Sequence, residues 1–106
     1  MKSISSADVL PFAVEDTLRA LGERISLARK ARYWTQSELA AKAGVGLNSV
    51  VNMERGASTV QIGFWFLVLW AMDLLEPVDD IARLEDDAQA MAALKRGLPR
   101  RVRGQP

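Results

Sequence analysis

Apolar residues in this chain recur at helical spacing almost throughout and alternate almost nowhere. Val14, Leu18, Leu21, Ile25 and Ala28 stand three or four positions apart, which places them on one face of a helix over about 13–32. Glu15 and Asp16 fall in its first turn, where carboxylates suit the helix dipole. The Ser-rich stretch 1–12, with Pro11 near its end, reads as a flexible arm. Thr35-Gln36-Ser37-Glu38 has the form of a capping box, a Thr hydroxyl with Glu three residues on. It opens a short second helix that turns Leu39, Ala40 and Ala43 inward and stops at Gly44. Gly44-Val45-Gly46 predicts a tight turn. A third helix follows from Leu47 and ends at Gly56, a residue suited to the position after a helix end. Ser58 or Thr59 is expected to cap a fourth helix running to about Asp73. Pro77 opens a fifth over about 77–96, with a break near Asp87. Gly97 and Pro99 end regular structure, and only 101–103 hints at a strand. The fold class is all-α. The expected organisation is an arm over 1–12, a domain over 13–75, a helical extension over 76–96 and a basic tail over 97–106.

Residues 36–56 read as one helix-turn-helix unit. Two short helices that cross closely need a small residue at the crossing, and Ala40 supplies it. The turn needs a residue tolerant of left-handed backbone, and Gly44 supplies it. The buried side of the second helix of the pair needs an apolar residue at Val50, with Val45 filling the turn.

Composition narrows the function. The chain is 49% apolar and 25% charged, with no cysteine and no histidine. Disulfides, Cys/His zinc sites and Ser-His or Cys-His catalytic pairs are thereby excluded. No enzyme, cofactor or metal is expected. The apolar run 62–72 is about half the ~20 residues of a membrane span, and Asp73 closes it, so it reads as a buried helix. Residues 1–9 show no signal peptide, and the cytoplasm is the expected compartment. Net charge is +1 but unevenly spread. Lys95, Arg96, Arg100, Arg101 and Arg103 close the chain without an acid. Glu76, Asp79, Asp80, Glu85, Asp86 and Asp87 precede them against Arg83 alone. The acidic segment fits a surface that repels DNA or faces a basic partner. The basic one fits phosphate contact, partner contact or a solubilising end.

Taken together, Leu21-Gly22-x-x-Ile25, Ala28-Arg29, Thr35-Gln36-x-x-Leu39-Ala40, Ala43-Gly44-Val45, Ser49-Val50 and Glu54-Arg55-Gly56 resemble the lambda-repressor-like (Cro/Xre-type) DNA-binding family. The resemblance covers about half the chain. It implies a five-helix DNA-binding domain whose third helix lies in the major groove. Leu47, Asn48, Val51 and Asn52 would then face base edges. Asn48 and Asn52 lie four apart on one helix side, and an Asn amide pairs bidentately with adenine. Thr35, Gln36, Ser49 and Arg55 would meet phosphates. The family also pairs an Arg of the first helix with the Glu ending the third, here Arg29 and Glu54, as a structural ion pair. Two departures bear on the sequence read: Gly46 is a weaker helix cap than the family's usual Ser or Thr, and Val51 stands where a small polar residue is common.

Outside this core, residues 58–63 (STVQIG), Asp79-Asp80-Ile81-Ala82 and residues 98–103 (LPRRVR) resemble small regulators of the HipB type. These are antitoxins that repress their own operon and bind a HipA-like kinase toxin. A homodimer on a palindromic operator in double-stranded DNA is expected, with no membrane contact, and this resemblance adds such a toxin as a further partner. A stand-alone repressor, or an interaction module that keeps the helix-turn-helix as a scaffold, also fits. The fourth helix is apolar on every side, which one small core cannot cover. Phe64, Trp65 and Trp70 are therefore expected at a dimer or partner surface.

Overall fold

A computed structural model describes residues 9–98. The described residues form five α-helices and no strand: α1 (Phe12–Ala31), α2 (Gln36–Ala43), α3 (Leu47–Glu54), α4 (Ile62–Ala71) and α5 (Ala88–Arg96). Among them no helix is long and apolar enough to cross a membrane. They divide into two compact units, one up to Leu75 and one from Glu76.

In the first unit α1 to α4 enclose a core of Ile25, Leu39, Ala40, Ala43, Val50, Met53, Trp65, Val68, Leu69 and Met72. Each helix ends in the same way. A residue with left-handed backbone follows the last turn, at Tyr33 (φ 58°), Gly44 (φ 72°), Gly56 (φ 76°) and Asp73 (φ 61°). The N–H of the residue after it then reaches back to a last-turn carbonyl: Trp34 to Arg29, Val45 to Ala40, Ala57 to Asn52 and Leu74 to Leu69, at 3.3, 3.0, 3.0 and 2.8 Å. This is the Schellman closure, which satisfies carbonyls left open at a helix end. Glycine adopts it without strain. Tyr33 and Asp73 adopt it at a steric cost that no glycine in the sequence announces.

Glycine also sets how closely the helices approach. A Cβ on Gly22 would stand 2.5 Å from the Met53 carbonyl oxygen, and one on Gly56 would stand 2.7 Å from Arg19 Cα. The end of α3 therefore lies directly on the backbone of α1.

Two helix boundaries differ from the expected ones. α4 begins at Ile62 rather than after a Ser58 or Thr59 cap, and Gln61 at its start makes no side-chain cap bond. Residues 58 and 59 are used in a turn that follows Gly56, and the helix starts only where the apolar run starts. In the second unit, 77–96 is not one helix. Glu76–Asp80 and Leu84–Asp86 form 3₁₀ turns, and Ala82 is left-handed (φ 58°). Asp87 caps α5 instead, its Oδ1 accepting from the Ala90 N–H at 3.1 Å. Arg83 bridges Asp80 and Glu85, each at 2.9 Å. No described residue of this unit is buried. The basic stretch from Arg100 and the possible strand at 101–103 lie outside the described residues, as does most of the expected arm.

Candidate DNA-binding interface

The site begins where α2 begins. Thr35 Oγ1 accepts from the Glu38 N–H at 3.0 Å, and Glu38 Oε1 accepts from the Thr35 N–H at 2.9 Å. The two bonds complete the capping box. Hydrogen bonds from the Thr35 backbone and then from its side chain hold the Glu38 carboxyl below the ordinary carboxylate value. The turn into α3 closes through left-handed Gly44. Gly46 then starts α3 with no side-chain cap.

α3 has two sides. Val50 and Met53 are wholly buried. Leu47, Asn48 and Arg55 are exposed, while Ser49, Val51 and Asn52 are half-buried. Among the described residues, no hydrogen bond engages the amides of Asn48 or Asn52, and no carboxylate pairs with Arg55.

Beneath this face lies an ion pair. Arg29 Nε donates to Glu54 Oε2 at 2.7 Å and Nη2 to Oε1 at 3.0 Å. The two side chains are only 11% and 7% exposed. Arg29 Nη1 also donates to the Trp34 carbonyl at 2.9 Å, and Gln36 Nε2 donates to Glu54 Oε1 at 3.1 Å. Burial pushes the Glu54 carboxyl up, but hydrogen bonds from Arg29 and Gln36, with the Arg29 charge and a smaller contribution from Ser26, outweigh it and hold it below 4.5. The hydrogen bond to Glu54 is the main cause raising Arg29 above its ordinary value. Gln36, expected only at phosphate, thus already has a protein partner. Nothing in the spacing of Gln36 and Glu54 links them.

The aromatic residues of α4 divide. Trp65 is 6% exposed and belongs to the core, which corrects its placement on a partner surface. It shares the inward stripe of α4 with Val68 and Leu69, three and four residues on. Phe64 is half-buried. Trp70 is 61% exposed, and with Gly63, Phe66, Leu67 and Leu75 it lines an open apolar groove of about 350 Å³. The spacing Gly63, Phe66, Leu67, Trp70 marks that stripe in the sequence, but an all-apolar run does not say which stripe faces out. Two further contacts had no sequence signal. Arg32 Nη2 donates to the Met72 carbonyl at 2.9 Å, tying α1 to the end of α4. Lys42 Nζ sits 4.8 Å from the centre of the Trp34 ring, within cation–π range.

A short helix pair crossing at Ala40, with a polar outward face on the second helix and a charged clamp behind it, is a helix-turn-helix. The family model described as helix-turn-helix matches residues 25–68, from Ile25 in α1 to Val68 in α4. The chain is also similar to an uncharacterized HTH-type transcriptional regulator, y4mF, of Sinorhizobium fredii (strain NBRC 101917 / NGR234). The two are 39% identical over 61 residues, covering 54% of this chain and 80% of the relative. The chain belongs to the helix-turn-helix family.

Proposed function

We propose that this protein is a sequence-specific DNA-binding transcriptional repressor that acts as a homodimer on a palindromic operator. The observation that carries this reading is the outward face of α3. It offers two amides, Asn48 and Asn52, without protein partners among the described residues, on a helix locked in place by Arg29 and Glu54. Leu47, Asn48, Val51 and Asn52 face base edges in the major groove. Thr35, Gln36, Ser49 and Arg55 meet the phosphates on either side. The likeness to a protein named as an HTH-type transcriptional regulator supports the regulatory role. The exposed apolar stripe of α4 around Trp70 supports the dimer, because a patch of this kind is normally covered. Two copies related by a two-fold axis set their recognition helices about 34 Å apart, one DNA turn.

The resemblance of 58–63, 79–82 and 98–103 to HipB-type regulators supports a narrower role, that of the antitoxin of a toxin–antitoxin operon. In that role the chain represses its own operon and holds a HipA-like kinase. A kinase gene beside this one, and co-purification of its product, test that role.

The DNA reading is tested by selecting duplexes from a random-sequence pool with the full chain. A palindromic consensus is the expected outcome. A pool that stays random after repeated rounds leaves the helix-turn-helix as a scaffold for protein contacts instead.

A further inference from the structure

Two donors converge on one carboxylate at the base of the reading face. Glu54 Oε1 accepts from Arg29 Nη2 at 3.0 Å and from Gln36 Nε2 at 3.1 Å, while Oε2 accepts from Arg29 Nε at 2.7 Å. Arg29 also holds the Trp34 carbonyl, two residues before Gln36. Arg29 thereby ties the entry to α2 to the last residue of α3, and Glu54 in turn holds the first residue of α2.

We propose that Glu54 is a positioning residue for the DNA backbone contact: it holds the Gln36 amide so that one N–H is spent on the carboxylate and the other is kept for a phosphate. This rests on the reading above, in which Gln36 meets the DNA backbone. A glutamine amide presents nitrogen or oxygen with little preference of its own. A carboxylate accepts only, so it takes the NH₂ group and rejects the carbonyl oxygen. A phosphate oxygen is also an acceptor only. The end of Gln36 that Glu54 selects is therefore the end a phosphate needs. Arg29 completes the device. A bare carboxylate 3.1 Å from the Gln36 nitrogen would repel the phosphate, and the bidentate guanidinium cancels that charge. Fixing the amide before DNA arrives also removes part of the ordering cost of binding.

The test is a double-mutant cycle with the full chain. It uses a duplex that the wild type selects from a random pool and a shuffled duplex of the same length. Glu54→Gln, whose amide no longer dictates which end of Gln36 faces it, is expected to weaken binding to both duplexes by roughly three- to tenfold. The ratio between them should stay unchanged. In a Gln36→Ala background the same substitution is expected to cost almost nothing more, since its route to DNA is gone. Equal losses in both backgrounds overturn the proposal and leave Glu54 a role in the fold alone. A second measurement needs no variant. The Gln36 side-chain amide of the free wild-type protein should be ordered like the backbone, with an NMR order parameter near ~0.85, while that of exposed Gln61 falls below ~0.6. A Gln36 amide as mobile as that of Gln61 also overturns it. A wild-type chain that enriches no duplex sinks the DNA reading and this inference together, whereas enrichment with additive losses sinks this inference alone.

Discussion

Gly22 lies so close to the carbonyl oxygen of Met53 that a Cβ at this position would stand 2.5 Å from it, with the Glu54 oxygen at 2.9 Å and the Gly56 nitrogen at 3.0 Å. All three neighbours are backbone, so none can swing aside. Gly22→Ala must push the end of α3 off α1. Overpacking of this kind costs about 1–3 kcal/mol, and chemical denaturation should show a loss in that range. Gly56→Ala adds a left-handed backbone penalty to its own clash with Arg19 and should lose at least as much. Gly46→Ala is the control. A Cβ there meets nothing within 4 Å, so only the cost of an alanine at a helix N-cap, about 1 kcal/mol, should appear.

The buried ion pair predicts a pattern across three variants. Arg29→Met leaves the Glu54 carboxylate buried without its main partner, and losses of about 3–5 kcal/mol follow such a change. Arg29→Met combined with Glu54→Met removes both charges and should recover much of that loss. The acid side of the stability profile carries the same information. The Glu54 carboxyl lies below its ordinary 4.5 in the folded chain. Its contribution is therefore fully present above the unfolded-state value and is lost as pH falls through the folded one. Wild type should weaken on acidification below about pH 4.5, and Glu54→Gln should weaken less. Parallel pH profiles for the two proteins would contradict this account.

The helix-turn-helix was legible in the sequence because each of its parts has a local chemical cause. Thr35 and Glu38 cap each other, Gly44 supplies a left-handed turn, and Ala40 and Val50 fall on the buried sides of their helices. The ends of α1 and α4 were less legible. Their left-handed stops are Tyr33 and Asp73, residues with no strong preference for that backbone. In α4 the apolar residues form an unbroken run, so periodicity could not separate Trp65, in the core, from Trp70, in the groove. The segment 77–87 offered helical spacing and a helix-starting proline, but Asp87 caps α5 instead, its side chain accepting from the Ala90 N–H. The Gln36–Glu54 bond spans 18 positions and depends on how the helices pack, which no local pattern encodes.

Base choice and backbone affinity should separate by residue. Asn52→Ala and Asn48→Ala each remove an amide able to pair with adenine, worth about 1–3 kcal/mol of discrimination. Each should relax preference at one position of the selected consensus and leave binding to shuffled duplex almost unchanged. Arg55→Gln should weaken all duplexes alike and reduce the slope of log K against log salt by about 1. An Arg55→Gln variant with an altered consensus but an unchanged salt slope would move Arg55 from the phosphates to the bases.

The groove beside Trp70 bears on oligomeric state. Trp70 is 61% exposed, so Trp70→Lys removes little from the core, and the folded chain should keep its stability to within about 0.5 kcal/mol at low concentration. If a second copy covers this stripe, a lysine here sets like charges against each other across a two-fold axis and strips the apolar contact that holds the pair. Sedimentation should then give a dimer for wild type and a monomer for Trp70→Lys. The wild-type melting temperature should rise with protein concentration while that of the variant stays constant, because only association links stability to concentration. On DNA, the variant should bind a full palindrome no more tightly than a single half-site. A Trp70→Lys chain that still sediments as a dimer places the two-fold interface elsewhere and leaves the groove for a different protein.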